Sequence, residues 1–146
     1  MAIPVRTAVL ALSLSAAVAA PAPSQAADIL GTWLTKGGKS HVTIEPCGER
    51  FCGKIVWMKE PNDAAGKPKL DKENSDEALR SRPILGLPLL TGFKKNGARE
   101  WDGGQIYNPE DGKTYRSELE LKSDHELGVS GCVLFFCKEQ LWTRVP

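Results

Sequence analysis

The chain has little of what usually announces a chemistry. Histidine occurs only at His41 and His125, so just two side chains titrate unperturbed near neutral pH. An excess of one charge is missing as well: 19 basic residues face 18 acidic ones, a formal net charge of +1. Bulk attraction to nucleic acid or to an anionic membrane needs a surplus of Lys and Arg, and here the basic residues are interleaved with acids and form no stripe. No nucleic-acid role is expected. Long apolar runs are absent too. The longest, Ala8 to Ala20, is thirteen residues of Ala, Val, Leu and Ser, and at about 1.5 Å per residue it reaches about 20 Å, short of the ~30 Å hydrocarbon core. No membrane span is expected. No Ser sits in a Gly-x-Ser-x-Gly frame, and no internal repeat or low-complexity segment follows the first run.

That first run has another meaning. Arg6 is the sole charge before Asp28, and the apolar stretch behind it ends at Pro21 and Pro23. Ser24-Gln25-Ala26 then offers the small-x-small pattern of signal-peptide cleavage, so residues 1–26 are expected to be a secretory signal peptide cut near Ala26 or Ala27. No Cys lies near the cut to carry lipid, and no twin-Arg pair marks export in the folded state. Residues 27–146 are left as a single domain, exported to the periplasm or beyond and expected to be a monomer. Without Arg6 the basic residues fall from 19 to 18, matching the 18 acidic ones.

The four cysteines suit an oxidising compartment. Cys47 and Cys52 bracket four residues, as do Cys132 and Cys137. A four-residue connection between strands places its flanking residues opposite one another, near the separation a disulfide needs. Cys47–Cys52 and Cys132–Cys137 are therefore favoured over the other two pairings. Zinc is the rival reading, but structural zinc prefers two-residue spacing, and so do redox-catalytic pairs. No metal and no cofactor are expected.

Strand patterns dominate the remainder. Leu30–Lys36 and Ser40–Glu45 form a hairpin turned by Gly37-Gly38, and Phe51–Met58 follows with Ile55 and Trp57 on one face. Tyr115 to Lys122 alternates most cleanly, with Tyr115, Ser117, Leu119 and Leu121 opposed to Arg116, Glu118, Glu120 and Lys122. Further strands cover Gly86–Phe93, Gly103–Tyr107, the stretch carrying Leu127 and Val129, and Glu139–Val145. Pro88 demotes its strand to an edge or a bulge, because Pro cannot donate to a ladder. Lys59 to Arg82 interrupts this meander with 24 residues, twelve of them charged. Ser75 is placed to cap a short helix over Asp76–Arg80, with Asp76 and Arg80 as an i,i+4 pair. Long excursions of this kind are often functional.

About eight strands must close a sheet or stack two. Gly31-Thr32-Trp33 opens the first strand and Trp142-Thr143-Arg144 closes the last. These residues resemble the calycin signature of lipocalins and their relatives. The resemblance implies an all-β fold, a closed or nearly closed antiparallel up-and-down barrel, with Trp33 packed beneath Arg144 at the closed end. A more specific resemblance runs through Gly31-x-Trp33, Cys52-Gly53-Lys54-Ile55-Val56-Trp57, Asp71-x-x-Asn74 and Gly86-Leu87. It continues through Trp101-x-Gly103-Gly104-x-Ile106-Tyr107-x-Pro109-x-Asp111-Gly112-Lys113-x-Tyr115 and ends at Gln140-x-Trp142-x-Arg144. This order of Gly, Trp and Tyr is similar to the bacterial family known as domain of unknown function 2147. The resemblance implies an exported lipocalin-like barrel and carries no activity, substrate or catalytic residue. The second cysteine pair departs from that pattern, which has a Gly-containing loop without cysteines there.

No catalytic residue is assigned. His41 lies on a polar strand face and His125 in a turn. Glu118 and Glu120 share a solvent-facing row rather than an acid/base cleft. Asn108-Pro109-Glu110-Asp111-Gly112 puts Tyr107 where a calcium loop needs a carboxylate, so it reads as a turn. Trp57, Trp101, Tyr107 and Tyr115 are candidates, with Trp33, to turn into one barrel interior and line a ligand, alongside Asp71 and Asn74 from the long loop. Val133-Leu134-Phe135-Phe136 is four consecutive apolar residues in one short turn, fit to cap the barrel mouth or to dock elsewhere. Three functional classes stay open. The first is non-enzymatic binding of a small, partly apolar molecule in a barrel gated by the 59–82 loop. The second is an envelope protein-interaction module using the Val133–Phe136 tip or the charged loop. The third is an enzyme built on Asp71, Asn74 and Lys54.

Overall fold

The computed structural model describes residues 19–20 and 28–146; the rest of the expected signal segment and its cleavage point lie outside the described residues. Eight strands follow in order: β1 (Gly31–Leu34), β2 (Ser40–Cys47), β3 (Arg50–Met58), β4 (Pro88–Lys95), β5 (Glu100–Asn108), β6 (Lys113–Ser123), β7 (Glu126–Val133) and β8 (Phe136–Arg144). Each pairs antiparallel with the next and β1 pairs with β8, so the sheet is a closed barrel. Up-and-down order sends the connections alternately to two ends. The upper end holds residues 35–39, the long 59–87 segment, the 109–112 turn and the β7–β8 tip. The lower end holds the β2–β3, β4–β5 and β6–β7 turns. No helix among the described residues is long and apolar enough to cross a membrane.

One local expectation is corrected, and another is narrowed to the bulge among its two alternatives. The helix over Asp76–Arg80 is a single 3₁₀ turn, Glu77–Leu79, capped by Asp76, whose carboxylate accepts from Ala78 N at 3.0 Å. A segment this short cannot offset helix nucleation, and 3₁₀ geometry stacks residues three apart. Arg80 accordingly pairs with Glu77 at 3.5 Å instead of with Asp76. Pro88 occupies no edge, since a closed barrel has none; it begins β4 beside a register shift against β3.

Alternation fills the barrel. Trp33, Val42, Ile55, Leu90, Phe93, Trp101, Leu119, Leu121, Leu127, Val129 and Trp142 are all buried. A Cβ on Gly104 would come 2.5 Å from the Phe93 ring, so that glycine exists to admit the ring into the core. At the lower end, Lys95 Nζ lies 4.3 Å from the Trp101 ring centroid and Arg144 Cζ 4.2 Å from that of Trp33. Arg144 also donates to three backbone carbonyls: Asp124 at 2.6 Å, Leu30 at 2.7 Å and Asp28 at 2.9 Å. Both disulfides have the expected pairing, Cys47–Cys52 and Cys132–Cys137. The spacing argument describes only the second. Cys132 and Cys137 are directly opposed, with Cα atoms 4.0 Å apart, whereas Cys47 opposes Arg50 and reaches Cys52 diagonally over 5.8 Å.

Arg144→Ala removes the cap over Trp33 and its three carbonyl bonds together. Urea unfolding should show a loss of about 2–4 kcal/mol at unchanged m. A loss under ~0.5 kcal/mol would mean that the seam closes without the guanidinium.

Candidate functional site

The long β3–β4 segment is tied down at one buried carboxylate. Asp71 is wholly buried and accepts from Tyr107 Oη at 2.5 Å, Asn74 Nδ2 at 2.8 Å and Arg82 Nε at 2.9 Å. Asn74 Nδ2 also donates to Tyr107 Oη at 3.1 Å, and Arg80 Nε donates to the Asn74 carbonyl at 2.7 Å. The Arg82 guanidinium stands 5.6 Å over the Tyr107 ring. Burial alone would push Asp71 up. The bonds from Tyr107, Asn74 and Arg82, with Arg82's charge, outweigh it and hold the carboxyl below the usual range. Tyr107 is pushed up, first by burial and then by Asp71. The segment presses so close to the 109–112 turn that a Cβ on Gly112 would overlap the Glu73 carbonyl, and Gly112 itself has φ +70°. Only glycine seats this contact.

Tyr107 pairs with Thr114, while its neighbour Ile106 pairs with Tyr115 and faces the core. Adjacent strand residues oppose one another, so Tyr107 points outward. The Asp71 cluster therefore pins the segment to the outer wall. A groove of about 270 Å³ lies between segment and wall, lined by Asn74, Leu79, Arg82, Leu89, Gln105 and Tyr107 among others. A second outer groove, about 350 Å³, lies on β5–β8 and is lined by Glu100, Asp102, Glu118, Glu120 and Glu139. Lys122 spans part of its acid row, 2.6 Å from Glu120 and 3.2 Å from Glu139.

The expected interior cluster of aromatics is only partly assembled. Trp33 and Trp101 are core residues. Tyr115 stands on the inward face of β6 near the upper rim, its hydroxyl donating to Asp111 at 2.5 Å. Tyr107 faces the outer wall, and Trp57 is also outside, 42% exposed and 4.4 Å from the His41 ring. The cause at Trp57 is a bulge: Val42 opposes Ile55 but His41 opposes Trp57, and the extra residue flips the face. Lys54 does not join Asp71 and Asn74; it pairs with Glu45 across β2–β3 at 3.5 Å. Glu118, Cys132 and Cys137 bring a carboxylate and two sulfurs within 4.8 Å of one another. Both sulfurs are spent on each other, so no thiolate is left for a metal. Arg82 and Gly112 escape a reading of the sequence because their partners lie far along the chain.

At the tip, Val133, Leu134, Phe135 and Phe136 are 56, 82, 96 and 82% exposed, so none of them caps the mouth. Leu134 has φ +54°, the sole positive φ outside glycine among the described residues. The Arg116 guanidinium donates to the Leu134 carbonyl at 3.3 Å.

Asp71→Asn should lower stability by about 1–3 kcal/mol at neutral pH and speed amide exchange across residues 59–87. Because folding depresses this pKa, its contribution is full above the unfolded value near pH ~4 and fades as pH falls through the folded one. The gap between wild type and variant should close in acid. A gap independent of pH would mean that the charge is not what holds the segment.

Comparison with known proteins fits this architecture. A solved Helicobacter pylori protein, described as belonging to the lipocalin family, superposes with TM-score 0.72 at 26% identity, covering 82% of this chain and 84% of that one. No curated protein matches the chain. Residues 31–144, spanning every strand from the first glycine of β1 to the last arginine of β8, match a family of uncharacterised proteins conserved in bacteria, domain of unknown function 2147, and the chain belongs to that family.

Proposed function

We propose that the protein is a non-enzymatic binding module of the cell envelope that docks through the β7–β8 tip. One observation carries this reading: Phe135 is 96% exposed at the apex of a turn whose three apolar neighbours are also in solvent. Single exposed apolar side chains are ordinary, but a contiguous projecting set marks a contact surface. Leu134 adds support. A two-residue hairpin turn favours Asn or Gly at positive φ, and Leu there costs about 1–2 kcal/mol. The adjacent Cys132–Cys137 bridge holds the hairpin in that shape. Strain kept at an exposed apolar apex is better explained by contact than by folding. The two disulfides suggest an oxidising, exported environment, which supports an envelope surface as the tip's partner.

Burial of Trp33, Phe93, Trp101 and Trp142 within the barrel weighs against carriage there. Binding of a small, partly apolar molecule keeps support at the 270 Å³ groove under the long segment, where Leu79 and Leu89 meet Asn74, Arg82, Gln105 and Tyr107. A panel of small amphiphiles should then raise Tm, and Gln105→Arg, which fills the groove, should remove the rise. No shift with any amphiphile ends this second reading.

Docking predicts that exported wild-type protein sediments with total envelope. Leu134→Asn, which tolerates the positive φ, with Phe135→Gly deletes the apex, and this variant should be released into the soluble fraction. Equal sedimentation of the two would refute docking through the tip.

A further inference from the structure

Resting on that reading, we infer that the surface the tip meets is an anionic lipid interface. Cations surround an apolar wedge, which complements such an interface in charge and in polarity. Directly behind the apex sits Arg116, bonded to the Leu134 carbonyl. Lys138, exposed on β8, follows Phe136 by two residues. Neither has a carboxylate within ion-pair distance among the described residues. Two residues of strand span roughly 7 Å. The cations therefore lie at the depth where lipid phosphates would meet a hairpin that buries Phe135 and Phe136 just below them.

Acid lies farther from the apex. Glu118 comes next below Arg116 on the wall, beside the Cys132–Cys137 bridge. Glu139 is held by Lys122, and Glu120, Glu100 and Asp102 continue toward the lower end. On the β6–β8 wall the order from the apex downward is thus apolar wedge, unpaired cations, then acids. An anionic surface would draw the tip and repel the wall, orienting the barrel tip-first. A protein partner of matching shape would not need this ordering of wedge, cations and acids.

The test is vesicle flotation with the full disulfide-bonded protein. Vesicles of phosphatidylglycerol and phosphatidylcholine in equal parts should carry it, vesicles of phosphatidylcholine alone should carry far less, and high salt should release it. Leu134→Asn with Phe135→Gly should weaken flotation roughly tenfold or more, through loss of a buried aromatic. Arg116→Gln with Lys138→Gln, which keeps all four apolar side chains of the tip, should weaken it roughly thirtyfold and flatten the salt dependence. A Phe135→Trp reporter should shift to the blue on the anionic vesicles only. No flotation, or flotation equal on neutral vesicles or in the apex variant, overturns the lipid inference. If flotation fails while envelope sedimentation still needs the apex, the occupant is a protein and docking stands; if sedimentation is also indifferent to the apex, both readings fall.

Discussion

The barrel depends on a seam that is too short to hold itself. β1 has four residues and meets β8 at only two pairs, Trp33 with Arg144 and Leu34 with Thr143. Two ladder pairs are a thin basis for joining the first strand to the last, which lie more than a hundred residues apart. Arg144 compensates by acting in three directions. Its backbone continues β8, its guanidinium covers Trp33, and its nitrogens tie the Asp28–Leu30 entry segment and the β6–β7 turn together. The planar fork matters here, because a lysine could cover the ring but could not satisfy three carbonyls in fixed directions. Gly31 fits the same arrangement: its φ is +113°, and a Cβ there would approach Arg144 Nη1 to 3.2 Å.

The upper end uses a different solution. Among the described residues no apolar lid closes it. A segment rich in charge folds down the outside and is secured by one desolvated carboxylate with three donors. A buried charge is tolerated only when its lone pairs are filled, and Asp71 meets that condition with a phenol, an amide and a guanidinium. The polar residues that looked most like a site in the sequence are therefore a fastening, and the groove they create is a by-product of where the segment is fastened.

How much of this was legible follows from strand parity. β6 has no bulge between Tyr115 and Leu121, so its alternation reads directly into core and surface. β3 has one near its upper end, and a pattern of period two cannot announce an extra residue; Ile55 was placed rightly and Trp57 was turned to the wrong face. Tyr107 could have been read from its neighbour, since a buried Ile106 obliges it to face out. The cysteine pairing was legible because both partners are local. The Asp71 cluster was not, because Arg82 and Tyr107 reach it from distant positions that no spacing rule connects. Whether the Val133–Phe136 turn covers the mouth or projects from it depends on the twist of one hairpin, which composition does not encode.

The strained apex and its disulfide have one more consequence, for timing. With Cys132 and Cys137 as thiols, nothing covalent holds Leu134 at positive φ, and the hairpin is free to relax into a looser loop. Oxidation fixes it. The bond that rigidifies the turn thus forms only where thiols are oxidised, so the cross-linked hairpin belongs to one side of a redox boundary.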